Sequence, residues 1–100
     1  GIPFMNKKIH TESVDQLFDA IMSLKDRDEC YRFFEDLCTV KELLSLSQRL
    51  EVAAMLRENN TYLEIGEKTG ASTATISRVN RSLSYGGDGY QLIFDRLGID

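Results

Sequence analysis

The 100-residue sequence predicts an all-α fold of six helices, and three observations carry that prediction. Apolar residues recur at helical spacing in every long segment, and no segment alternates as a half-buried strand would. Thr/Asp-x-x-Glu capping signatures open three successive segments. A single proline and short Gly/Asn clusters make the connections short.

The first helix is expected over about residues 12–24, where Val14, Leu17, Phe18, Ile21, Met22 and Leu24 form an i, i+3, i+4, i+7 stripe. Asp26 and Glu29 open a second helix, whose apolar residues are Tyr31, Phe33, Phe34, Leu37 and Cys38. Thr39 and Glu42 open a third and longer one, running to about Arg57 with Val40, Leu43, Leu44, Leu46, Leu50, Val52, Ala53, Met55 and Leu56 as its apolar set. Glu58-Asn59-Asn60 ends it, and Thr61 with Glu64 opens the fourth. Ser72 or Thr73 caps a fifth helix to about Ser84. After Gly86-Gly87-Asp88-Gly89, a short sixth is marked by Tyr90, Ile93, Phe94 and Leu97.

At this length and 42% hydrophobic content the chain forms one small domain. Gly1-Ile2-Pro3-Phe4 ahead of Met5 reads as an added remnant, which leaves a single domain over residues 5–100. No apolar run approaches the roughly 18 residues of a membrane span, and no signal-peptide pattern opens the chain. A cytoplasmic protein is expected. Cys30 and Cys38 fall in one predicted helix about 12 Å apart along its axis, too far for a disulfide. They are expected in core or boundary packing. With His10 as the only histidine, no metal-ligand set assembles within one chain.

Residues 61–83, TYLEIGEKTGASTATISRVNRSL, read as a helix-turn-helix. Gly66 suits the close crossing of the two helices, and Gly70 suits a turn that demands positive φ. Ile65, Ile76, Val79 and Leu83 then form the buried seam. Such a unit has one common use, which is to place its second helix in the major groove of DNA. With Ile76 at the centre of the buried face, Ala74, Ser77, Arg78 and Arg81 point away from it. Ser72, Thr73 and Ala74 sit at the N-terminal turn, where base edges are met. There short hydroxyl side chains and free N–H groups meet bases or phosphates, and Ala74 suits a thymine methyl.

The charge distribution agrees with that use. The chain is −4 overall, which excludes a nonspecific polycation. Residues 1–38 hold five basic and eight acidic side chains, residues 39–85 six and five, and residues 86–100 one and three. No acidic residue lies between Ala71 and Tyr85. An acidic body with one acid-free, hydroxyl-rich helix approaches phosphates at one edge only. The first three helices carry more apolar surface than this small unit can cover, so a homodimer built through them is expected over a monomeric bundle.

From Thr39 to about Leu83 the chain resembles the bacterial Trp repressor family, and over nearly all its length the Trp-repressor-like YerC/YecD-type branch. The resembling residues are LCT at 37–39, Leu50 after Arg49, and above all TGASTATISR at 69–78. The resemblance implies an intertwined all-helical homodimer that binds double-stranded DNA. It places Ser72, Thr73, Ala74, Thr75 and Ser77, with Tyr62, Leu63 and Gly66 on the preceding helix, at DNA-reading positions. Leu63 and Gly66 stand where the family has basic residues, so phosphate contact from that helix is expected to be weaker. The resemblance further implies an effector pocket at Thr39, Arg49, Thr75 and Arg78, where an arginine pair suits a carboxylate and an aromatic ring. The family places glycine directly after the second arginine. Val79 occupies that position, and its branched side chain argues against tryptophan as corepressor. Another small effector, or none, is expected.

The expected function is therefore a dimeric, sequence-specific transcriptional regulator, a repressor acting on a two-fold-related operator. Its DNA-binding set is Tyr62, Ser72, Thr73, Ala74, Thr75, Ser77, Arg78 and Arg81. The alternative is a helical dimer that binds another protein and keeps a vestigial helix-turn-helix. No nucleophile–base pair is apparent, so an enzyme is not expected.

Overall fold

A computed structural model describes residues 7–98. Among them are six α-helices and no strand: α1 Glu12–Met22, α2 Arg27–Leu37, α3 Val40–Arg57, α4 Tyr62–Thr69, α5 Thr73–Tyr85 and α6 Gly89–Leu97. A single 3-10 turn at Lys7–Ile9, which no local pattern predicted, precedes α1. The reading of Gly1–Phe4 as a remnant ahead of Met5 lies outside the described residues. No helix among the described residues is long and apolar enough to cross a membrane.

The capping signatures determine where the helices begin. Thr39 and Glu42 form a reciprocal box at α3: the Glu42 N–H donates to Thr39 Oγ1 (3.1 Å), and the Thr39 N–H donates to Glu42 Oε1 (2.9 Å). Thr61 and Glu64 repeat it at α4, at 3.2 and 2.8 Å. The third signature is only half a box. Asp26 Oδ1 accepts from the Glu29 N–H, but Glu29 Oε1 accepts from the N–H of Lys25, one residue outside the cap. A fourth cap opens α1, where Thr11 Oγ1 accepts from the Val14 N–H.

Helix ends follow similar logic. The first helix stops at Met22 rather than Leu24, because the Ser23 hydroxyl donates to the Ala20 carbonyl and closes the last turn. Asn59 ends α3 in the left-handed region (φ 63°). Its N–H donates to Leu56 O and the Asn60 N–H to Met55 O, a Schellman arrangement that satisfies the last carbonyls.

The chain divides into two compact units, one reaching to Leu43 and the other beginning at Leu44. In the first, α1 and α2 bury none of their residues. Cys30 is exposed, and Cys38 is the half-buried C-cap of α2, so neither cysteine is a core residue and they do not share a helix. In the second unit, Val52 and Ala53 of α3, Ile65 of α4, Ala71 of the turn, Ile76 and Val79 of α5 and Phe94 of α6 close a core. Tyr90 stacks on Phe94 at 6.2 Å, and the Arg57 guanidinium lies 5.1 Å over the same ring while reaching Asp95 at 3.8 Å. These contacts hold α6 against the end of α3.

Candidate nucleic-acid interface

The turn between α4 and α5 is built from short-range bonds. Gly70 takes φ 73° and donates its N–H to Gly66 O. Thr69 Oγ1 donates to Ile65 O (2.8 Å) and accepts from the Ala71 N–H (3.1 Å), so the side chain bridges both sides of the corner. Gln48 of α3 adds a tether, donating its Nε2 to Thr69 O at 3.1 Å. Thr69 and Ala71 are smaller than the apolar residues usual at such a turn. The hydroxyl bonds and the burial of Ala71 show how they serve here.

The expected seam is present: Ile65, Ile76 and Val79 are fully buried and Leu83 packs on them. One expectation is corrected. A Cβ at Gly66 would sit 3.6 Å from Ala71 O, an ordinary contact, so the helix crossing does not demand glycine there. The steric demand lies at Gly86 instead, where a Cβ would meet the Ser82 carbonyl oxygen.

Burial of that seam turns the opposite face of α5 outward. Ser72, Thr73, Ala74, Ser77, Arg78 and Arg81 are all exposed, and Thr75 is half-buried. Ser72 is the N-cap of α5: its Oγ accepts from the Thr75 N–H and lies 3.1 Å from Thr75 Oγ1. The Ser72 hydroxyl thus serves both the helix cap and the Thr75 side chain. Tyr62 is exposed at the first position of α4. Arg78 and Arg81 share a shallow hollow with Ser82, Tyr85 and Gly86 towards the end of α5. Tyr85, which sequence reasoning passed over, stands seven residues after Arg78 and hence on the same side of the helix.

The four positions of the implied effector pocket are used differently. Thr39 caps α3. Arg49 is half-buried on α3, with Nη2 donating to Ser45 Oγ at 3.3 Å. Thr75 bonds within the α5 cap, and Arg78 is exposed. Among the described residues no hydrogen bond joins Arg49, Thr75 and Arg78 to one another. Val79 is 2% exposed and belongs to the core. The place where the family has glycine is thus filled by packed side chain.

Two acidic groups near these elements are shifted. Glu42 and Glu64 are both held below their ordinary value of 4.5, first by the backbone N–H of the capping threonine and then by its hydroxyl, against a small desolvation effect.

Comparison with known proteins agrees with this geometry. Residues 12–98 match the family model described as Trp repressor protein. YerC of Bacillus subtilis (strain 168), an uncharacterized protein, is 62% identical over 90 residues, covering 90% of this chain and 86% of YerC. A TrpR-like protein from Eubacterium eligens ATCC 27750 superposes with a TM-score of 0.91 at 70% identity, covering 94% of this chain and 97% of that one. A candidate Trp repressor from Staphylococcus aureus also superposes at 0.91, with 55% identity and 94% of each chain covered. The buried seam, the αL turn at Gly70 and the acid-free outward face of α5 thus belong to a member of the Trp repressor family.

Proposed function

We propose that the chain is a sequence-specific DNA-binding transcriptional regulator, a repressor that works in the cytoplasm as a homodimer on a two-fold-related operator. The observation that carries this reading is the outward face of α5. A sealed core within the second unit turns Ser72, Thr73, Ala74, Ser77, Arg78 and Arg81 to solvent without a single acidic side chain between Ala71 and Tyr85. The short side chains at the N-terminal turn suit base edges, and the two arginines suit phosphates.

The homodimer rests on a second observation. Phe18, Met22, Tyr31, Leu37, Val40, Leu44, Leu46 and Leu50, spread over α1 to α3, are all exposed in the single chain, Met22 by 80% and Val40 by 77%. Apolar surface of this extent marks an interface, and the family supplies its form, two chains sharing these helices. Residues 5–100 act as one domain in this reading. The two recognition helices then lie about 34 Å apart, one turn of DNA. Val79, packed into the core, argues against tryptophan as corepressor. Any effector is a different small molecule, and the protein-interaction reading is the weaker one because it leaves the acid-free face unexplained.

Selection of bound duplexes from a random pool, with and without aromatic amino acids, tests this. A palindromic consensus, indifferent to tryptophan, is expected. Titration at several salt concentrations should show strong salt dependence, and Arg81→Ala should lower the slope of log K against log salt by about 2, one phosphate contact per protomer. Absence of binding at micromolar protein, or binding insensitive to salt, would overturn the reading. Loss of binding in Arg81→Ala with Thr73→Ala, with the dimer intact, would separate it from the protein-interaction alternative.

A further inference from the structure

Beside the reading face lies a groove of about 480 Å³ shared by the two helices of the helix-turn-helix, with Tyr62, Leu63, Gly66 and Glu67 on α4 and Thr73 on α5 along its walls. Ile76 and Ala71 close its floor. Three features set its chemistry. Leu63 lines the groove and is 72% exposed, so its aliphatic side chain is open to a partner. Gly66 has no side chain to fill the space, although a Cβ there would meet only ordinary contact. No basic residue lines the groove, and Glu67 places a carboxylate at its edge, which repels phosphate.

Resting on the DNA-binding reading above, we propose that this groove reads the 5-methyl edge of a thymine, with Leu63 as the specificity-determining residue. Thr73 belongs both to the groove and to the N-terminal turn of α5 that faces base edges, so a base pair adjoining the one it meets lies within reach of Leu63. Among major-groove edges, only thymine offers an apolar group. A leucine and an open, uncharged floor match that group and match neither phosphate nor the polar edges of guanine and cytosine. The first helix of the motif therefore selects sequence by apolar contact, and the second by short polar side chains.

The test uses the full-length protein and a duplex recovered by the selection, with uracil replacing thymine at one position at a time so that only a methyl group is lost. One position in each half-site should weaken binding by about fourfold on losing its methyl, the effect of one buried methyl-sized group. Leu63→Ala, at an exposed position that leaves the core untouched, should bind thymine and uracil duplexes equally. Arg81→Ala should weaken both equally and keep the preference. Equal binding of thymine and uracil duplexes by the unaltered protein overturns the inference, as does a consensus with no fixed thymine in the half-site. A preference that survives Leu63→Ala belongs to Ala74 and also overturns it. In these outcomes DNA binding itself stands, whereas failure to bind any duplex removes the DNA-binding reading and this inference together.

Discussion

Only one of the two units of this chain buries a core, although both leave large apolar side chains exposed. From Leu44 onward, four helices close a core in which Val52, Ile65, Ile76, Val79 and Phe94 are fully buried. Up to Leu43, two helices with clear apolar stripes bury no residue at all, although Phe33 and Phe34 meet edge to face at 5.6 Å. Periodicity shows which side of a helix is apolar, and says nothing about what covers it. The second unit covers the seam of α4 and α5 with its own chain, although Leu44, Leu46 and Leu50 on the first turns of its part of α3 stay exposed. The first leaves its stripes for another, and in our reading that other is a second copy.

The largest expected effect probes the self-contained side of this contrast. Phe94→Ala should destabilise by ~3–5 kcal/mol, since it removes a fully buried ring together with its contacts to Tyr90 and Arg57. Urea denaturation at fixed protein concentration measures it. A loss below about 1 kcal/mol would mean that α6 does not close the core. Next comes the other side. Val40→Asp should weaken the dimer by roughly 100-fold, because a charge replaces apolar surface at the proposed seam. Sedimentation reads this directly, and the melting temperature should lose its dependence on concentration. An unchanged association constant would place the seam elsewhere.

A pair of glycines within the second unit sharpens the contrast further. Gly86→Ala should cost ~1–3 kcal/mol, as its Cβ is driven against the Ser82 carbonyl. Gly66→Ala should instead stabilise by ~0.5–1 kcal/mol, since the helix has room and gains from reduced backbone freedom in the unfolded chain. Thermal melts of the two variants should therefore move in opposite directions.

The smallest effect is acid sensitivity at the two capping boxes. Glu42 and Glu64 have folded values depressed below 4.5, so each contributes stability that is present above that pH and is lost as pH falls through the depressed value. Glu42 caps a helix that begins in the first unit, and Glu64 one that lies wholly in the second. Denaturation midpoints of Glu42→Gln and Glu64→Gln should each show a shallower fall below pH 4.5 than the parent. A parallel fall in both would assign the acid loss to other carboxylates.

Much of this fold is legible from the sequence because its signals are local. Thr39 with Glu42 and Thr61 with Glu64 lie three residues apart, and the bonds they make span that same distance. The seam of Ile65, Ile76, Val79 and Leu83 is legible because one helical period relates its members on α5. The resemblance to the Trp repressor family, carried by TGASTATISR at 69–78, added what periodicity lacks, namely the family to which the six helices belong and an expectation of which positions would face DNA.

What escaped is non-local or negative. Gln48 and Thr69 lie 21 residues apart, and nothing in either neighbourhood announces their bond. Arg57 and Phe94 are more distant still, so their contact appears only once α3 and α6 are packed. The steric demand on glycine was read at Gly66, where two helices cross, but it falls on Gly86, where the end of α5 turns back on its own carbonyl. The groove at Leu63 depends on a side chain that is absent at Gly66, and absence leaves no periodic trace.

The tether from Gln48 to Thr69 has a thermodynamic consequence for recognition. With Thr69 bridging the corner through its hydroxyl and Gln48 holding its carbonyl, the angle between α4 and α5 is set while the chain folds. On the proposed DNA-binding function, the helix-turn-helix would reach its target already ordered, with little conformational entropy left to lose on docking. Amide protons at Gly70 and Ala71, though they lie in a connection, should exchange with solvent water far more slowly than those at Gly87 and Asp88. Gln48→Ala should release that protection and transfer the ordering cost from the folding reaction to the association reaction, where it reads as an unfavourable entropy of binding.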